Sequence, residues 1–348
     1  MQARPNLQTR SHLTENGLSS RHGLGEHAVM ATTTLRTASA GPADPQNLVQ
    51  PLLAELDRII VGKHHQIKLC LACLLARGHL LIEDLPGVGK TTLAHALAKV
   101  LDLSYQRVQF TSDLLPADVI GVSIFRRDTN RFEFHHGPIF SQLLLADEIN
   151  RATPKAQSAL LEAMEERQVT ADGSTYALPV PFFVVATRNP NRQIGTFPLP
   201  ESQLDRFLMQ ITLGYPGPVE ERVLLANGDR RDLVDRLASL VSVETLVELQ
   251  QKVTKVHLSE ALLDYVQALV AHTRESGDFN EGLSPRGAIA LVRAAQAWAM
   301  ISGHDGVYPE DVQAVLPHVV AHRLEPAQGR ESGAAGAGQI VLSAVPVP

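Results

Sequence analysis

Residues 85–94 read LPGVGKTTLA, and this short stretch constrains the fold more than any other part of the chain. A proline and two glycines stand immediately before a lysine and two threonines, and only then does an apolar helical pattern begin. A packed core has no use for such a turn. Without side chains at Gly87 and Gly89, backbone N–H groups can converge on an anion, a helix N-terminus adds its positive dipole end, and a lysine adds a point charge. The apolar run HLLIED at 79–84 comes just before, so the order is strand, glycine turn, helix from about Lys90. That order cradles the phosphates of a nucleotide. Pro86, Gly87, Val88, Gly89, Lys90, Thr91 and Thr92 are the candidate ATP-binding residues, with Lys90 on the β and γ phosphates and the Thr91 hydroxyl on Mg²⁺. The usual pattern, GxxxxGK[ST], has glycine where this chain has Asp84.

Runs of the same kind recur as YQRVQF (105–110), LLLADE (143–148), FFVVAT (182–187) and FLMQIT (207–212). Short apolar runs separated by helical stretches predict a five-stranded parallel sheet buried on both faces. After YPGPVEER at 215–222 the runs stop, and amphipathic helices such as SEALLDYVQALVAHTRE and SPRGAIALVRAAQAWAMI continue to about residue 325. The expected architecture is α/β, with a phosphate-loop domain over residues 46–214 and a smaller all-helical lid domain over 215–325. Residues 1–45 are rich in Ser, Thr, Gly, Arg and His and show no apolar period, which predicts a disordered tail; they lack the hydrophobic core of a signal peptide. Met30 offers a second start within that tail. Residues 326–348 are similarly low in complexity and read as a flexible C-terminal tail.

With 44% hydrophobic and 20% charged residues the chain can build a sizeable core. No apolar stretch approaches the roughly 18 to 20 residues of a membrane helix. The formal net charge of −6 gives no overall attraction to nucleic acid or an anionic membrane. Cys70 and Cys73 have CxxC spacing, but no second pair completes a metal site. They read as buried helical residues in a reducing, cytoplasmic compartment.

The run LLLADE ends in two carboxylates at the C-terminal edge of a parallel sheet, where ligands bind. Asp147 is the candidate Mg²⁺ ligand, through water, and Glu148 the base that orients and deprotonates the attacking water. Asn189, in FFVVATRNP, ends the fourth strand within reach of that water or the γ-phosphate. Arg206, in LPESQLDRFL, stands just before the fifth strand, where a solvated arginine or a local pair with Asp205 is the plainer reading. In LSPRGAIAL, Ser284 suits an N-cap and Pro285 the first helical position, so Arg286 falls in the first turn. A cation there opposes the helix dipole and makes sense if an anion lies nearby.

The ordered set PGVGKT, LLLADEINRATPKAQSALLEAMEE, ATRNP, LPESQLDRFL and SPRGAI resembles the AAA+ ATPases, and specifically the MoxR family. QFTSDLLPADVIG (109–121) and HHGPIF (135–140) add to the likeness, which covers residues 50–325. The resemblance implies Mg²⁺-dependent ATP hydrolysis in a ring, commonly a hexamer. It implies Arg206 as an arginine finger on a neighbour's nucleotide, Asn189 as the sensor on the fourth strand, and Arg286 as the lid sensor. It also implies a separate partner carrying a von Willebrand A domain, and a client protein complex that the ATPase remodels or matures. Arg188 stands where glutamine is frequent, and Gly287 where alanine is frequent.

VIGVSIFRRDTNRFEFHHGPIF and QVTADGSTYALPVPF read as two β-hairpins, turning at DTN and DG. DGST has the start of a von Willebrand A metal motif but the wrong continuation, Tyr176, and sits in a hairpin. The alternative class, a nucleic-acid motor or loader, finds little here. Arg126, Arg127 and Arg131 are diluted by Asp128, and the hairpins lack an aromatic–basic pattern for stacking bases. A switch that barely hydrolyses is disfavoured by the presence of both Glu148 and Arg206.

Overall fold

The computed structural model describes residues 45–189, 195–227, 231–327 and 334–347. The tail expected over residues 1–45, Met30 included, lies outside them except for Pro45, which opens α1 (Pro45–Ile59). Next comes α2 (His64–Leu75), buried nearly all round. Cys70 and Cys73 are inside it, and burial pushes both thiols well up, so they are inert packing residues.

Five strands form one sheet: β1 (Leu80–Glu83), β2 (Tyr105–Gln109), β5 (Leu143–Asp147), β8 (Phe183–Arg188) and β9 (Met209–Ile211). Their order is β2-β5-β8-β1-β9, and every neighbouring pair is parallel. Two antiparallel hairpins, β3 (Gly121–Arg126) with β4 (Arg131–His136) and β6 (Gln168–Ala171) with β7 (Ser174–Ala177), stand where the sequence placed them. Side chains alternate along each strand and so sort the two faces of the sheet. Leu80, Ile82, Leu143, Leu145, Phe183 and Val185 join a core with α1, α2 and α3 (Lys90–Val100) that runs on into the lid. Leu81, Leu144, Ala146, Val184 and Ala186 face the other way, onto α4 (Pro116–Ile120) and α5 (Pro154–Glu166).

A short α6 (Glu201–Leu204) leads into β9. Beyond the turn at 214–217 follow α7 (Pro218–Asn227), α8 (Arg231–Asp235), α9 (Val243–Val253), α10 (Glu260–Glu275), α11 (Pro285–Ser302) and α12 (Pro309–Val320). Serines cap α9, α10 and α11. The hydroxyls of Ser242, Ser259 and Ser284 accept the N–H groups of Thr245, Leu262 and Gly287. α11 lies on α1 and α2, and α12 on the edge strand β9.

The C-terminus differs from the expected flexible tail over 326–348. Residues 334–344 form a helix, α13 (Ala334–Ala344), packed on α12 and α10, with Ala337 and Val341 fully buried. The reason is close approach. A Cβ at Gly338 would stand 2.6 Å from the Pro317 Cα, so the small residues that make the segment look featureless are what let α13 lie against α12. Val341→Ala should therefore cost about 2 kcal/mol by urea denaturation; a loose tail would show no change.

Candidate functional site

A cleft of about 780 Å³ opens at the C-terminal ends of β1, β5 and β8. Residues 86–92 line it together with Asp147, Glu148 and Asn189. Gly89 takes a left-handed conformation (φ 97°) at the N-cap of α3, and Gly87 is likewise at positive φ. A Cβ built at either meets nothing within 4 Å, so the space beside this backbone is open to a ligand. Lys90 Nζ donates to the carbonyl oxygens of Asp84 and Leu85, both at 2.8 Å. Burial lowers its pKa, while Asp84, Asp147 and Glu148 pull the other way and favour the charge.

Opposite the turn, one hydroxyl organises both carboxylates. The Thr187 hydroxyl donates to Asp147 Oδ1 at 2.6 Å and accepts the Glu148 N–H at 2.9 Å. Arg107 on β2 donates to Asp147 Oδ2 at 2.6 Å. Glu148 has left-handed backbone (φ 56°), a sparsely populated conformation for a residue with a side chain. Its Oε2 accepts from Gln109 Nε2 and from Arg151, each at 2.8 Å. The Asn189 side-chain oxygen is buried without a partner among the described residues. The sequence reading missed Thr187, Arg107, Gln109 and Arg151. Arg107 and Gln109 stand two apart on an edge strand beside LLLADE, which was the available signal.

Arg206 and Arg286 are elsewhere. Leu208 N–H bonds to His79 O, so Arg206 sits at the N-terminal ends of β1 and β9, opposite the glycine turn. Neither arginine lines the cleft that holds Lys90. Instead they meet on one carboxylate at the end of α5: Arg206 Nε lies 3.1 Å from Glu165 Oε2, and an Arg286 Nη donates to Glu165 Oε1. Arg206 does not pair with its neighbour Asp205, which binds Arg323 and Ser284 of the lid. The anion expected near Arg286 is therefore Glu165, a residue the sequence did not single out.

A larger cavity, about 1270 Å³, lies beyond Arg188 against the segment after α12. It shares Asn189 but contains neither the glycine turn nor Asp147 and Glu148, so the candidate site is the smaller cleft.

Family models agree with this geometry. The ATPase family associated with various cellular activities (AAA) matches residues 79–209, and the AAA lid domain residues 271–341. The protein YeaC of Bacillus subtilis is 46% identical over 283 residues, 80% of this chain and 88% of its own length. Chaperone MoxR1 of Mycobacterium tuberculosis is 41% identical over 294 residues, 82% of this chain and 77% of its own. The chain belongs to the MoxR family of AAA+ ATPases. A crystal structure of a protein described as an ATPase from Cytophaga hutchinsonii superposes with a TM-score of 0.78 at 37% identity, covering 87% of this chain and 96% of that one.

Within a MoxR-type ATPase, the departures from the expected pattern acquire structural reasons. Asp84 is buried, and its carboxylate accepts the N–H groups of Leu85 (2.8 Å), Leu213 (2.6 Å) and Gly214 (2.7 Å). It ties the start of the phosphate loop to the exit from β9. Arg188 pairs with Glu83 and bonds Gln210. At Gly287, a Cβ would stand 2.6 Å from Leu283 Cδ1, just before α11, and 3.2 Å from Arg323 Cδ, so an alanine would press on both side chains. Replacing Asp84 by glycine restores the commoner pattern but strands two N–H groups beyond β9, and should cost about 3 kcal/mol by urea denaturation. An unchanged midpoint would remove this tie as a structural element.

Proposed function

We propose that this MoxR-type ATPase hydrolyses Mg²⁺-ATP in sites shared between neighbouring copies of the chain. The carrying observation is the separation just described. The phosphate loop, Asp147 and Glu148 are at one end of the sheet, and Arg206 with Arg286 at the other. A single chain holds only half of each site, and head-to-tail association in a ring, as a hexamer, would complete it.

The residues present fit the substrate. The open cradle at Gly87 and Gly89 admits phosphate, Lys90 supplies the charge, and the Asn189 oxygen, without a partner among the described residues, can accept from a water or hydroxyl. Thr91 and Asp147 would hold the Mg²⁺, which supplies neutralisation of phosphate charge. Magnesium keeps several waters and needs only one or two protein ligands, so a cluster of three is not required. Glu148 is the base, and Gln109 and Arg151 hold its carboxylate until substrate and neighbour are in place. Arg206 acts as the finger, and Arg286, held on the same Glu165, acts beside it on the neighbour's nucleotide rather than on its own. This differs from a lid sensor working within one chain.

The output is chaperone-like remodelling or maturation of a protein complex, including cofactor or metal insertion, with a von Willebrand A-domain protein as a partner; family membership supports this. The first hairpin suits a protein client: Val122, Ile124, Phe125 and Phe132 are exposed, Phe132 by 74%. It does not favour the nucleic-acid alternative, because Arg126 is held by Asp128 and Glu133.

Glu148→Gln should bind ATP and retain it, since the amide keeps the shape but cannot take the water's proton; parental turnover would assign the base elsewhere. Lys90→Ala should lose nucleotide binding. Arg206→Ala should leave nucleotide affinity of the isolated subunit unchanged and reduce hydrolysis by about 10³- to 10⁵-fold. Mixing it with Lys90→Ala should restore part of the activity, because an intact phosphate loop can then sit beside an intact finger. A mixture that stays inactive while subunits demonstrably exchange rules out shared sites.

A further inference from the structure

Arg206 and Arg286 do not stand alone. The cleft they line, about 430 Å³, also takes Arg77, Arg167 and Arg293. Arg323 reaches it too but is bound to Asp205. The remaining carboxylate of the lining is Glu165, already shared between Arg206 and Arg286. Arg77 and Arg293 make no ion pair or side-chain hydrogen bond among the described residues, and Arg167 makes one long bond, Nη2 to the Arg77 carbonyl at 3.5 Å. Burial, with the charges of Arg77 and Arg293, lowers the Arg167 pKa. All three are exposed, so water screens their mutual repulsion and leaves their donors free for an anion brought from outside the chain.

Local structure does not ask for arginine here. Arg167 is the C-cap of α5 and adopts a left-handed conformation (φ 54°, ψ 26°), where glycine or asparagine is the favoured residue. It stands two residues after Glu165, so the turn that presents Glu165 also fixes Arg167 on the same cleft.

We propose that Arg167, flanked by Arg77 and Arg293, is a third arginine given to the neighbouring subunit's nucleotide, binding non-bridging oxygens of the triphosphate that Arg206 and Arg286 approach. This rests on the shared-site reading above. Arg167 brings positive charge from the AAA domain, alongside Arg206, while Arg286 and Arg293 bring it from the lid.

Arg167→Asn removes the charge and suits the left-handed cap, so the melting temperature and the ATP affinity of the isolated subunit should not fall. Turnover at saturating ATP should drop about 10²-fold, the scale of one lost transition-state donor. Arg167→Lys should recover part of the loss, and so should mixing Arg167→Asn with Lys90→Ala. Parental turnover in Arg167→Asn, under conditions where Arg206→Ala is silent, overturns the proposal. It is overturned equally if the mixture with Lys90→Ala stays inactive while the Arg206→Ala mixture recovers. Unchanged turnover per assembled ring with weaker assembly would mean that the arginines pair with the neighbour's carboxylates, and the phosphate assignment would be wrong. Failure of the Arg206→Ala mixture itself removes the shared-site reading, and this inference with it.

Discussion

The part-buried pair of Asp205 and Arg323 holds the two halves of the molecule in one arrangement. Arg323, only 5% exposed in its side chain, reaches Asp205 Oδ1 at 2.7 Å and also donates to the carbonyls of Asp205, Phe207 and Leu208. Ser284, the N-cap of α11, takes the other Asp205 oxygen. One carboxylate thus fastens the end of the lid and the start of α11 to the residue just before Arg206. A charge as buried as that of Arg323 is tolerable only when paired and hydrogen-bonded, and here it is. Because the residues flanking this tie are Arg206 and Arg286, their meeting on Glu165 follows from it.

The nucleotide half is organised differently, by short-range bonds at the strand ends. Thr187 links Asp147 to the Glu148 backbone, and Glu148 accepts the strained conformation that its neighbours over-determine. Gln157, fully buried on α5, donates to the carbonyls of Ile149, Ala152 and Phe197 and so anchors the first turns of that helix to the segment after Glu148. At 1.5 Å per residue, α5 then spans about 20 Å to the Glu165 end. The same rigid element has the Glu148 segment near one end and the arginine cluster at the other.

Much of this was legible in the sequence, because strand periodicity, glycine turns and serine caps are local signals. All five sheet strands and both hairpins fall where apolar alternation and turn residues put them. What the sequence could not display were bonds between distant segments. Glu165 and Arg286 are 121 residues apart, and Asp205 and Arg323 are 118. Asp84 read as a lapse in a motif because the N–H groups it binds lie near residue 213, in another strand's exit. The C-terminal helix was misjudged for a related reason. Alanine and glycine carry little apolar signal, yet their smallness is what packing against α12 required.

A parallel sheet has direction, and here its two ends carry unlike chemistry. Copies joined end to unlike end cannot form a symmetric pair; such contacts either run on as a filament or come back on themselves after a fixed number of steps. The rotation per step of such a contact is set by how one end of the domain is angled relative to the other. In this chain the glycine turn and Arg206 share one sheet, while the lid that carries Arg286 is set on it by α11 lying on α2 and α12 lying on β9. Where Arg286 stands relative to Arg206 is then decided in the packing of the lid, far from the glycine turn. A core substitution between α11 and α2 would shift Arg286 on Glu165 without touching the glycine turn.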